Sequence, residues 1–216
     1  MASLWNDQGV KIPVTVLQVE NCQVMANIWT VQHNHTIYHA VQVAASDKLE
    51  WTTTKQMLGH FHKAGVPPKQ FVKEFPVTPD ALVPVGTMLS AIHFVPGQYV
   101  DVIANGKKMA SRMGGQRITT QTLPVLYIGS NLGLIFMKAA VPGIDDAHVL
   151  VRDAKKIMVQ GKHNQAKGLY EKVLPKGMDD LPFPVGTAEL AKTLPPTIGP
   201  HTGGVLSSLR NRFIEY

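Results

Sequence analysis

The sequence predicts a mainly β protein: a small closed barrel, interrupted by one helix and followed by an extended tail. Three observations carry this. Short β-prone segments recur at near-regular spacing, separated by Gly, Pro and Asn turns. One stretch, Lys55–Ala64, has helical spacing instead of period two. Six of the 15 prolines lie from Pro175 onward, where a packed core is hard to build. An alternating β-α-β chain would need a helix after nearly every strand, and the spacing among these strands supplies one.

Val10, Ile12, Val14 and Val16 alternate with Lys11, Pro13 and Thr15, the pattern of a half-buried strand. Pro13 has no N–H to give a ladder, which places that strand at an edge or a bulge. Gln23–Trp29 and Tyr38–Val43 read as a hairpin around a polar turn at Asn34. In Lys55–Ala64, Met57, Leu58 and Phe61 share a helical face, Gly65 is a stop, and Pro67-Pro68 forbids continuation. Strand character returns at Phe71–Val77, Met88–Phe94 and Gln98–Ile103, with Gly86 and Pro96-Gly97 as turns. It continues at Ile118–Ile128, Leu134–Ala139 and His148–Asp153. Lys155–Val173 can hold a helix ended by Pro175. The expected division is therefore a β-barrel domain over 1–154, with a helical insert at about 55–68 and a basic loop at about 103–117. A basic helix-like segment and Pro-rich tail, extended on a partner surface or partly disordered, follow over 155–216.

The net charge of +6 is regional. Met1–Ala104 holds 6 basic and 7 acidic residues, Asn105–Lys176 holds 12 and 4, and Gly177–Tyr216 holds 3 and 4. A clustered basic surface fits a polyanion partner, and also a solvated face with no partner. No apolar run approaches the 18–20 or so residues of a membrane span. The opening residues lack the basic and apolar regions of a secretory signal, and no Arg-rich transit peptide is visible. The single cysteine, Cys22, can form no internal disulfide.

Enzyme chemistry finds little to stand on. No Gly-x-Ser-x-Gly elbow, HExxH helix or phosphate loop is present. Asp145-Asp146 and Asp179-Asp180 are adjacent acids in loop contexts, more simply solvated turns than acid–base pairs. Nine histidines include His33, His35 and His39, and His60 and His62. On a strand His33 and His35 would share a face, so a metal pair is geometrically open beside the simpler reading of polar surface. The segment Asn105–Arg117 is more pointed. It carries Lys107, Lys108, Arg112 and Arg117, three glycines and no acid. Small residues let a backbone approach phosphates, and the cations neutralise them, so RNA can order such a loop; an ordinary mobile loop is the alternative.

At this segment the chain resembles a known family. Gly106-Lys-Lys-Met-Ala-Ser-Arg-Met-Gly114 with Arg117-Ile-Thr-Thr-Gln121 is similar to the signature of the ribosomal protein L three family of the large subunit. Further pieces agree in order: Leu4–Val16, Gly59–Pro68 with Glu74-Phe75, Phe94–Val102, Ala140–Gly143 and Val149–Ala154. The likeness spans roughly Leu4 to Lys156. It implies a six-stranded barrel of the translation-protein type, bound to large-subunit rRNA and to neighbouring ribosomal proteins, with a role in subunit assembly and no enzymatic activity, cofactor or small-molecule substrate. The Pro-Pro-Lys-Gln70 wording, the Pro-Gly-Gln-Tyr-Val-Asp-Val102 wording and the Leu-Pro-Phe-Pro184 tail look most like the mitochondrial branch. The family's long central extension would lie between Val102 and Gly106, where Ile103-Ala-Asn105 joins the two sides directly, and its first strand is also absent. A barrel lacking that strand is expected to leave an edge unpaired. The RNA-contacting residues expected are Lys107, Lys108, Arg112 and Arg117, with Lys155, Lys156 and Lys162 extending the same basic surface. The alternatives are a histidine-rich β-barrel metal enzyme, and a non-ribosomal or incomplete member of the family.

Overall fold

In a computed structural model of the chain, residues 1–5, 8–33, 35–105, 115–168 and 194–199 are described. They are mainly β and fall into two compact units. The described residues of Met1–Gln18, Phe94–Pro182 and Pro195–Tyr216 make the first, and those of Val19–His93 and Phe183–Leu194 the second. The division thus cuts inside the stretch read from sequence as one barrel domain.

The first unit holds strands β1 (Ala2–Trp5) and β2 (Lys11–Gln18) from the start of the chain. From its later part come β7 (Tyr99–Asn105), β8 (Arg117–Gly129), β9 (Leu134–Lys138), β10 (Leu150–Asp153) and the two-residue β11 (Thr197–Ile198). Neighbours pair antiparallel in the order β1-β2-β9-β8-β7-β10, and the sheet curls as a half-barrel. No ladder among the described residues joins β1 to β10, so both are edges. The curl has a local cause. Strand β8 gives its first half to β7 and its second half to β9, and each ladder carries a bulge, between Val100 and Val102 and between Val125 and Tyr127. Bulges add local twist and bend. Where β7 has left β8, β11 takes the freed edge, with Ile198 opposite Ile128. The part of the tail expected on a partner surface is here held by the chain's own sheet, and Ser130 Oγ donates to the Pro195 carbonyl at 2.7 Å.

Pro13 was expected at an edge, yet β2 lies between β1 and β9. The β9 ladder starts only at Val14, so the missing N–H of Pro13 costs no bond, and its carbonyl accepts from Ala139 N at 3.0 Å. Strand β7 is buried over Val100–Ala104 without interruption, which means both of its faces are covered. It is the core strand on which the candidate site is built. The helix α2 (Lys155–Ala166) follows β10, and residues 169–173 of the longer helix expected there lie outside the described residues.

The second unit is a four-stranded sheet, β5-β4-β3-β6, of β3 (Cys22–Val31), β4 (Ile37–Asp47), β5 (Lys69–Pro76) and β6 (Met88–Leu89). Helix α1 runs Lys55–Ala64, as its spacing predicts. Gly65 ends it in the left-handed conformation (φ 65°), with its N–H on the His62 carbonyl. Successive side chains of a strand point to opposite faces, and both faces of this sheet are covered. Met25 and Ala44 pack with Phe61 of α1 and Val66. Val24 and Val41 pack with Val83 from the connection after β5. The strand expected over Met88–Phe94 is shortened to two residues, because Ala91–His93 winds into a 3-10 turn.

Candidate nucleic-acid interface

The basic segment Asn105–Arg117 connects β7 to β8. Asn105 closes β7 opposite Arg117, the first residue of β8. Arg117 is exposed there, on the last rung before the turn. Lys107, Lys108 and Arg112 lie outside the described residues, within 106–114.

Two sequence-distant pieces fix the strand that carries this turn. At the turn end, buried Gly143 of Ala140–Gly143 lies against β7 with φ +118°. A Cβ there would meet the Ala147 Cβ at 3.2 Å, the Ala104 Cβ at 3.8 Å and the Asn105 carbonyl at 4.0 Å. Only glycine suits that backbone conformation. At the other end, Val149–Ala154 closes on Phe94–Val102. Gln98 accepts from Val95 N through Oε1 (3.1 Å) and donates from Nε2 to Asp153 Oδ1, while Ala154 N donates to the Tyr99 carbonyl.

Asp101 is the centre of that second tie. It is 1% exposed. Its Oδ1 accepts from Thr122 N at 3.1 Å, across the β7–β8 bulge. Its Oδ2 accepts from Lys155 N, the first residue of α2, at 3.2 Å, and lies 3.7 Å from Arg152 Nη2 on the cross-strand partner residue. A carboxylate at a helix N-terminus satisfies an orphan N–H and opposes the positive end of the helix dipole. Two strands and a helix are thereby joined through one buried side chain.

Lys155 and Lys156 are exposed in the first turn of α2, which contains no acid. Cations at a helix N-terminus work against the dipole, so helix stability does not account for them. Lys162 belongs to α2, and nothing of its side chain is described. The ladder separates Lys155 and Arg117 along β7. Arg117 stands opposite Asn105, whereas Asp153 stands opposite Val100 and leads into Lys155. From Asn105 to Val100 along β7 that is about 17 Å, at roughly 3.3 Å per residue. Sequence could not reveal this, because register between distant strands is set by pairing and not by local spacing.

The described histidines take separate places. His33 and His35 lie in the β3–β4 turn and not on a strand face: Gln32 N donates to the Thr36 carbonyl, and His35 has φ +58°. His60 Nε2 is 2.7 Å from Gln42 Oε1, which ties α1 to β4. Among the described residues no three His, Cys, Asp or Glu side chains come together to hold a metal ion. Burial pushes the Cys22 thiol up, against an opposing pull from Lys69 and with a smaller push from Glu20, which keeps it protonated. No described helix is long and apolar enough to cross a membrane.

A second basic region escaped the regional count. Lys48–Lys73 contains five lysines and one acid, Glu50, hidden because it was averaged with the acids elsewhere in Met1–Ala104. A shorter window would have found it. Lys69 is 4% exposed and bound to Asp47, so it is structural. Lys48, Lys55, Lys63 and Lys73 are exposed. No family model matches the chain.

Proposed function

We propose that the chain is a non-enzymatic, rRNA-binding constituent of the large ribosomal subunit, of the L three type and mitochondrial. The observation that carries this reading is the convergence at β7. Phe94–Val102, Ala140–Gly143 and Val149–Ala154 are separate pieces of the resemblance; the first runs into β7, and the other two pack on β7, the strand that leads into the basic segment. A hairpin braced at both ends is a rigid mount for a cationic turn, and rigid mounting lowers the ordering cost of binding. The path β1-β2-β9-β8-β7-β10 serves in this reading as the six strands of the barrel, with Val19–His93 as an insert between β2 and β7.

Binding is electrostatic. Lys107, Lys108, Arg112 and Arg117 neutralise phosphates at the turn, and Lys155, Lys156 and Lys162 make a second contact. Four phosphates neutralised give a slope of about −3 to −4 in log affinity against log salt. The test is sedimentation of the tagged chain, alone and with all four turn cations replaced by Ala, on gradients of mitochondrial lysate. Association with large subunits that the fourfold variant loses supports the reading. A chain that stays at the top of the gradient overturns it.

A further inference from the structure

We propose that the second unit carries its own single-stranded RNA site, with Trp51 as the stacking platform; this rests on the rRNA-binding reading and extends it to a surface outside the β7–β8 hairpin. Trp51 is 83% exposed, the most exposed large apolar side chain among the described residues. It does not lie on a loose loop. It is in a 3-10 turn, Glu50–Thr52, whose shape is fixed by Thr52 N and Oγ1 on the Leu49 carbonyl and Thr53 N on the Glu50 carbonyl. The Thr53 hydroxyl adds a second bond to the Leu49 carbonyl at 3.1 Å. A tryptophan this exposed, on a turn closed by hydrogen bonds from Thr52 and Thr53, contributes little to a core, and its flat face suits a base.

The surroundings favour RNA as the occupant. Glu50, the neighbour of Trp51, lines a cleft of about 300 Å³ with Leu58, Phe61, His62, Val66 and Pro68. Apolar walls with a carboxylate and an imidazole at the rim match what an unstacked base requires: a slot for its faces and partners for its edge. Phosphate partners stand at the same rim. Lys48 N donates to the carbonyl of Pro68, a wall residue, at 2.9 Å. Lys55 precedes Leu58 and His62 by three and seven positions, so all three share one stripe of α1. Both lysines are exposed. An apolar protein partner would explain Trp51 but not the two exposed lysines whose backbone lies next to the lining of the cleft.

The test is anisotropy of a labelled 12-nucleotide single strand and of the duplex of the same sequence, on the full chain. Trp51→Ala should weaken the single strand about ten-fold and leave the duplex within about two-fold. Trp51→Phe should keep most of the affinity. The Lys48→Ala, Lys55→Ala double variant should reduce the single-strand salt slope by about 1.4, and Lys73→Ala, elsewhere in this unit, should leave it unchanged. A Trp51→Ala chain that binds the single strand like wild type overturns the proposal. If Arg117→Ala still weakens RNA binding in that case, the ribosomal reading stands and only this site falls. A wild-type chain that binds neither RNA overturns both. Trp51→Ala that loses a protein partner while RNA binding is untouched also overturns it.

Discussion

The two units use charge in opposite ways. In the first, the most buried ionisable group, Asp101, is acidic and is consumed internally by Thr122, Lys155 and Arg152, while cations stand at the two ends of β7. In the second, the buried ionisable group is a cation, Lys69, neutralised by Asp47. Lys48, Lys55, Lys63 and Lys73 are exposed there. The contrast separates lysines and carboxylates that hold the fold from those left free to meet a partner. Counting charge along the chain cannot make that distinction; burial and pairing can.

Four variants test the contrast, most easily by amide exchange, which reports each unit through its own peptides. Phe61→Ala should have the largest effect, about 4 kcal/mol, since Phe61 fills the space between α1 and the sheet. The loss should appear in peptides of Val19–His93; an equal loss in β7–β10 would break the division into two units. Asp101→Ala should cost about 3 kcal/mol, read in β7, β8 and the start of α2, because the Thr122 and Lys155 N–H groups lose their acceptor. A loss under about 1 kcal/mol would mean the corner is held by packing alone. Gly143→Ala should cost about 2 kcal/mol through its backbone conformation and the Ala147 contact. It should raise exchange at Ala104 and Asn105 first, and unchanged exchange there would detach Ala140–Gly143 from the foot of the basic turn.

Asp47 supplies the smallest effect and a pH signature. Its hydrogen bond from Lys69 lowers its carboxyl pKa, with a further contribution from Asn21. A depressed folded pKa contributes stability that is present above the unfolded value of about 3.9 and lost as pH falls through the folded value. The side chain is 53% exposed, so water screens much of it. Wild type should therefore exceed Asp47→Asn modestly in urea midpoint at pH 7, and the two should converge below pH 4. Curves that stay parallel to pH 2 would show that the pair contributes by packing and not by charge.

Local features were legible from sequence and nonlocal ones were not. Helix α1 was readable to the residue because Met57, Leu58 and Phe61 set its face and Gly65 its end. The strand near Met88 was overextended because apolar content alone does not separate a strand from a 3-10 turn. Pro13 lies within the sheet, not at the edge or bulge expected, because the ladder to β9 starts only at Val14 and asks for no N–H at position 13. The two units were invisible because alternation says which residues are buried, never which strand lies alongside. The candidate site shows the same split. Arg117 at a hairpin turn follows from the basic, Gly-rich spacing between two strands, whereas the distance from it to Lys155 follows only from register.

The pairing of β2 with β9 has a consequence for the order in which the chain can fold. Strands β3 to β6 find all their partners among one another, within Cys22–Leu89. That sheet is complete as soon as its own residues have left the ribosome that makes them. β1 and β2 emerge first, yet as a lone hairpin they are marginal. β2 ends at Gln18 and β9 at Lys138, so its second neighbour follows 120 residues later. At about 5–20 residues per second the wait is roughly 6–24 s. Of the strands in this sheet β2 thus waits longest for its second neighbour, and a nascent chain must keep its apolar residues from other partners until then.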